Sequence, residues 1–354
     1  MSITPETSQP VSDHDFSVEP PQGLIAKVRN FIGHLFATRE FGPFLLLIVL
    51  IVVFASAAPN FLSARNITNL LSFTPELGII ALGMTMLLTT GEFDLSVGSI
   101  FGFCPVIMFT LFNQGVMSFE AAFVTVLIIA ALFGLFSGLM VTKMKISSFL
   151  VTLSMLLIVR GIALYVTNGF PQRTWNADSP LVNWLVGSFQ PIEGGVTILA
   201  SLVWFIIFAI VLNYILFSTR FGNWMRATGG NPVAAKGRGV NIDRTRIYLF
   251  VLSAVLAGFA GIINAIRTQS ANPNNGTGYE LEVIAMTVIG GTLLSGGRGT
   301  IVGTIIGVLL LRFMRNGIIF VGVPGLAYDA FIGVIILMMM SIHSAVERRN
   351  HSGG

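Results

Sequence analysis

Apolar residues in this chain come in long runs separated by short polar stretches. The runs 41–58, 121–142, 197–217 and 247–266 carry no charge, while 75–90, 97–112, 149–167, 282–292, 301–318 and 327–343 are shorter or interrupted. Most could cross roughly 30 Å of hydrocarbon as helix. Their hydrophobicity is continuous rather than alternating, which predicts helices and not barrel strands. The pattern therefore predicts an all-α polytopic membrane protein with about ten transmembrane segments, of which 282–292 is short enough to be a half-helix. Residues 1–40 are polar, with five acids against three bases. They lack the basic start and adjoining apolar core of a secretory signal, and read as a cytoplasmic tail with a short interfacial helix at 22–38. The transmembrane domain then covers 41–343, and 344–354 forms a second tail.

Composition agrees with that pattern. Of 354 residues, 54% are hydrophobic and only 10% charged, with a mean hydropathy of +0.82. Soluble domains carry roughly 25% charged residues, so a soluble enzyme, a nucleic-acid binder and a disordered chain are excluded. The net charge of +4 matters less than where the bases lie. With a cytoplasmic N-terminus and ten crossings, thirteen bases fall on the cytoplasmic side. Only Arg65, Arg173 and Arg267 fall outside. This bias predicts a membrane protein with both termini cytoplasmic. Six of the cytoplasmic bases sit in one loop, 218–246. A lone cysteine, Cys104, rules out a disulfide within the chain.

No hydrophilic stretch between runs is large enough to fold as a domain. None of the four lysines belongs to a Gly-x4-Gly-Lys-Ser/Thr loop that would cradle phosphates. The four histidines lie in the tails or at the last helix end, and no HExxH or Cys/His cluster exists. The chain therefore reads as a non-enzyme that binds no metal or cofactor itself.

Two glycine-rich breaks are the informative feature. The first runs Gly91-Glu92-Phe93-Asp94-Leu95-Ser96-Val97-Gly98-Ser99. The second runs from Gly290-Gly291 through Leu294-Ser295-Gly296-Gly297-Arg298 to Thr300. Aligning Leu95-Ser96 with Leu294-Ser295 places Gly91 over Gly290 and Gly98 over Gly297, a weak internal repeat. Each break should end one helix and restart another, with Asp94 or Ser96, and Ser295, as N-caps. Interrupted apolar segments at matching places in two halves point to a transport pathway. The plainer reading is close-packed helix turns in which glycine serves contact. Arg160, inside 149–167, either lines that pathway or is snorkelling or structurally paired.

Within the basic loop, Asn231-Pro232-Val233-Ala234-Ala235-Lys236-Gly237-Arg238-Gly239 carries helix signals. Asn231 suits an N-cap, Pro232 the first helical position and Gly239 the stop. About two turns are predicted, too short to be stable without something to dock on. The helix is either presented to a partner's groove or is a connector whose bases anchor lipid head groups.

These residues carry a resemblance. The chain is similar to the membrane-spanning permease subunits of bacterial binding-protein-dependent ABC sugar importers of the ribose/xylose/arabinose type. The similar stretches are Gly91–Ser99, Tyr279-Glu280-Leu281 with Gly290–Thr300, the loop residues Gly230, Asn231, Ala234, Ala235 and Gly239, and Leu252–Gly261. The likeness extends from about 41 to 343. Three positions depart from the family pattern: Glu92 where Gly is common, Val233 where an acid is frequent, and Leu293 where Ser is usual.

The resemblance implies a permease of the bacterial inner membrane that passes a monosaccharide or sugar alcohol delivered by a periplasmic binding protein. It also implies a second permease copy and two cytoplasmic ATPases that hold the ATP and Mg2+. The implied pathway candidates are Gly91, Glu92, Asp94, Ser96, Gly98 and Arg160 with Gly290, Gly291, Ser295, Gly296, Gly297 and Arg298. The implied ATPase-coupling residues are Asn231, Pro232, Ala234, Ala235 and Gly239. The alternative is an ion-coupled secondary carrier of a small polar solute, which would need intramembrane acids or ion-binding breaks. Asp94 is the residue such a carrier would use, though acids deep in the runs are scarce. A passive channel is a weaker third reading.

Overall fold

A computed structural model describes residues 40–173, 179–189 and 194–324, with isolated positions between 330 and 337. The expected tails, the interfacial helix at 22–38 and most of the run 327–343 lie outside the described residues. In chain order the helices are α1 Phe41–Ala57, α2 Ala64–Leu88, α3 Val97–Asn113, α4 Phe119–Lys143, α5 Ser148–Thr167 and α6 Pro180–Val186. They continue as α7 Ala200–Ser218, α8 Arg220–Gly230, α9 Pro232–Gly237, α10 Ile242–Thr268, α11 Tyr279–Ile289 and α12 Ile301–Phe320. Two two-residue ladders tie loops together: Gln172–Arg173 with Ser270–Ala271, and Ser188–Phe189 with Ile198–Leu199.

The described residues are thus all-α, with six helices long and apolar enough to span a membrane: α2, α4, α5, α7, α10 and α12. Helices α1 and α3 are apolar but shorter. Burial sorts them. In α2 and α10, 89% and 78% of the spanning window is buried, against 28% in α5 and α7. The two central helices are also less apolar than α4 or α7, because helices facing lipid must be apolar all round whereas enclosed ones need not be.

The sequence reading started the second run at residue 75, yet α2 begins eleven residues earlier and passes through Pro75. Its first half carries Asn66, Asn69, Ser72 and Thr74, which fall outside the predicted apolar run. Hydroxyl back-bonding lets such a segment stay helical in an apolar setting: Ser72 Oγ donates to the Thr68 carbonyl and Thr74 Oγ1 to that of Leu70, both at 2.7 Å. Similarly, α10 starts at Ile242 because the Asn241 side chain caps the Arg244 amide at 3.0 Å. The basic loop contains a helix the sequence pattern did not predict, α8.

Candidate functional site

Helix α2 ends at Leu88, and Gly91 turns the chain at φ +82°. Asp94, fully buried, accepts hydrogen bonds from the Ser96 amide at 2.9 Å and the Ser96 hydroxyl at 2.5 Å. That local turn launches α3 from Val97, while Ser96 makes no side-chain capping bond of its own. At the second break α11 stops at Ile289 and α12 begins only at Ile301. Ser295 is not the N-cap expected from the sequence. Gly296 and Gly297 both lie at φ +83°, which no helix can continue through, and Thr300 Oγ1 caps the Gly303 amide instead at 3.1 Å. The aligned glycines also differ in conformation. Gly91 is left-handed while Gly290 is right-handed, and Gly98 sits in the first turn of α3 while Gly297 sits in a turn. Ser295 and the Arg298 side chain are exposed.

What sequence spacing could not foresee is that these breaks meet. The Gly297 amide donates to the Thr89 carbonyl at 2.8 Å. A methyl on Gly296 would stand 2.6 Å from the Gly91 nitrogen, and one on Gly297 would stand 2.9 Å from the Gly230 Cα. A methyl on Gly229, near the end of α8, would overlap the Thr89 carbonyl oxygen and the Gly297 nitrogen. Three backbones therefore converge with no side chain between them. Beside this junction Glu92 pairs with Arg246 at 2.9 Å, joining the first break to the first turns of α10. One turn deeper, the Thr85 and Thr304 hydroxyls bond at 2.6 Å.

Helix α8 leads directly into α9. Asn231 caps it as expected, accepting from the Ala234 amide at 3.0 Å, with Pro232 in the first turn. Gly239 leaves at φ +82°. Ala235 is buried and is the contact that seats this short helix, while Val233, Ala234 and Lys236 face outward. Val233 is 84% exposed, an isolated apolar side chain on a basic surface.

Arg160 takes a different role from its neighbours in sequence. Its guanidinium donates to the carbonyls of Pro273, of Asn275 at 2.8 Å and of Gly98 at 3.0 Å. Residues 272–278 form a non-helical segment between α10 and α11 that packs on the start of α3, where Gly98 and Gly102 leave room for it. Arg160 satisfies the carbonyls that this irregular backbone exposes.

At the far end of α2 lies a cavity of mixed polar and apolar lining that the sequence reading missed. A chamber of about 560 Å3 is bounded by α2, α10, α11 and α12. Adjoining it, a vestibule of about 580 Å3 reaches the α1–α2 turn at Pro59 and Asn60, and the two share Asn66, Asn69 and Phe320. In its wall Asn66 and Asn316 exchange amide hydrogen bonds at 2.8 and 2.9 Å. Deeper, Glu76 accepts from Arg267 at 2.6 Å and from Asn264 at 2.9 Å, while Arg267 stacks on Phe73. The signal was present in the helical spacing of Asn66, Asn69, Phe73 and Glu76, and of Arg312, Arg315, Asn316 and Ile319.

Comparison with known proteins bears on what this arrangement serves. The family described as branched-chain amino acid transport system / permease component matches residues 66–340. The ribose import permease protein RbsC of Escherichia coli is 36% identical over 295 residues, 83% of this chain and 89% of the relative. The probable ABC transporter permease protein YphD of the same species is 34% identical over 338 residues, 94% and 97% of the two chains. The xylose/arabinose import permease protein XylH of Sulfolobus acidocaldarius is 33% identical over 319 residues, 88% and 86%. No solved structure matches significantly. With a family match across most of its length and these relatives covering both chains, the protein belongs to the permease-component family of such transport systems and is a multi-pass membrane permease.

Proposed function

We propose that the chain is the membrane subunit of an ATP-driven importer that passes a monosaccharide or sugar alcohol. The relatives' names supply the class: they are import permeases for ribose and for xylose or arabinose. The observation that carries the mechanism is the three-backbone junction, which ties the outward-facing helix α9, through α8, to both helix breaks. In this reading α9 docks on a cytoplasmic ATPase that holds ATP and Mg2+. Asn231 and Pro232 set its start, Ala234 faces the partner, Ala235 anchors it and Gly239 ends it. Closure of the ATPases moves α8, and the breaks at Gly91–Gly98 and Gly290–Arg298 follow. A periplasmic binding protein delivers substrate, and a second copy of the permease completes the assembly.

The finer topology belongs to the same proposal. The six long helices, α1, α3, the half-helix α11 and the run 327–343 make up the ten segments, with the two breaks as counterparts in the two halves. The basic loop then faces the cytoplasm and the α1–α2 turn faces outward. An ion-coupled carrier is disfavoured, since the relatives include ABC transporter permeases and the buried Glu76 is neutralised by Arg267. Coexpression with an ATPase subunit should yield a complex whose ATP hydrolysis rises with substrate-loaded binding protein. Uptake into vesicles that persists without ATP, on a proton or sodium gradient, would overturn the proposal.

A further inference from the structure

The chamber beside α2 matches no feature that the sequence or the relatives assign, and its chemistry is specific. From Arg65, in the vestibule wall, to Glu76 runs about 16 Å of helix axis, roughly half the ~30 Å of a bilayer's hydrocarbon. Beyond Glu76 every residue of α2 from Leu77 to Leu88 is buried. The cavity therefore has a packed floor on that side, below which lie the Thr85–Thr304 bond and the glycine junction. Its volume falls within the roughly 300–1,000 Å3 typical of small-molecule sites.

The wall chemistry fits hydroxyl groups. A hydroxyl both donates and accepts, and so does a carboxamide; Asn69 offers one outright, while Asn264 and Asn316, each with one N–H already bonded within the wall, keep a second, and Asn66 has both of its own committed. Among the described lining residues the one carboxylate is Glu76, whose charge is taken up by Arg267 and Asn264, so these residues offer a cation no strong uncompensated acceptor. Arg312 is 92% buried, by its 8% exposure; it donates one N–H to the Phe73 carbonyl at 3.0 Å and leaves Nε without a partner. The guanidinium forms part of the chamber wall and places a charged donor there, its Nε being sealed in the packing. Phe73, Phe320 and Tyr279 add faces against which the C–H side of a sugar ring can lie.

We infer that this chamber is the permease's own recognition site for an uncharged polyhydroxylated solute, held here open toward the α1–α2 end and closed at the glycine junction. The inference rests on the import function proposed above, and it adds where, within one copy of the chain, the solute is bound and selected.

The only cysteine, Cys104, is fully buried, so introduced thiols can be labelled selectively. Asn69 is exposed in the chamber wall and Val116 is exposed in the α3–α4 turn. In intact cells carrying the whole importer, Asn69→Cys should react with a membrane-impermeant charged thiol reagent, and the modification should abolish uptake. A panel of ribose, xylose, arabinose and ribitol should contain a transported member that slows labelling at least fivefold. Val116→Cys should label equally with neither protection nor loss of uptake. Arg312→Lys, which keeps charge but not the fork, should lower maximal uptake about tenfold while the complex still copurifies. If the wild type transports a panel member that neither protects Asn69→Cys nor loses uptake on its modification, the chamber is overturned and the import function stands. Labelling of Asn69→Cys only in inverted membranes would overturn the chamber's outward opening. If wild-type cells import no panel member under ATP, the import function fails and the chamber's assignment with it.

Discussion

Arg160 illustrates what one side chain does when the backbone around it cannot pair with itself. Two carbonyls of the non-helical segment, from Pro273 and Asn275, face inward where neither helix nor sheet supplies donors, and one planar guanidinium reaches both and the Gly98 carbonyl of α3 as well. Lysine keeps the charge but has no fork. Arg160→Lys should therefore lose on the order of 1.5–3 kcal/mol, the worth of a hydrogen bond to a charged group, read as a lower thermal midpoint of the detergent-solubilised protein. An unchanged midpoint would show that the segment 272–278 stands without it. The Glu92–Arg246 pair makes a second residue-scale case, since both side chains are mostly buried. A double-mutant cycle of Glu92→Gln and Arg246→Gln should give a coupling energy of about 0.5–3 kcal/mol. Purely additive effects would reduce the contact to a passive one. The departure at Glu92 was visible in the sequence, but its partner, more than 150 positions away, was not.

At the level of elements, the apolar runs located nearly every spanning helix, because lipid imposes a length and a polarity that a single chain must display openly. Legibility failed where a helix turns its polar side inward. The first half of α2 fell outside the predicted run because Asn66, Asn69 and Ser72 interrupt its hydrophobicity, and two of these, Asn66 and Asn69, line the cavity. The short helix α9 was legible from Asn231 and Pro232, as local capping chemistry should be. What α8 packs against was not, because a contact made by glycine backbones leaves no pattern in side-chain type. Two substitutions test that contact. Gly229→Ala forces a methyl into the Thr89 carbonyl and should cost at least 1–3 kcal/mol, as overpacking does, with loss of ATPase-coupled uptake. Gly161→Ala, within α5, meets nothing within 4 Å and should leave folding yield and uptake intact. Equal behaviour of the two variants would count against the junction.

For the molecule as a whole, the far end is hollow while the end bearing the basic loop is closed by backbone contacts. Transport through such a body requires the closed end to part. The Gly297 amide, hydrogen-bonded to Thr89, is a natural reporter. In a complex held with bound ATP, its hydrogen exchange should speed up at least tenfold over the nucleotide-free complex, while the amides of mid-α10 stay protected. Unchanged protection would mean that the junction does not move in the cycle. The absence of side chains at the junction has one more consequence. A side chain can swing aside and take up play, as a bushing does between two shafts, but crossing backbones cannot. Sub-ångström travel of α8 must then appear undiminished at both breaks, so the linkage has no backlash. Its accuracy depends on the rigidity of the peptide unit and not on the packing of any replaceable group.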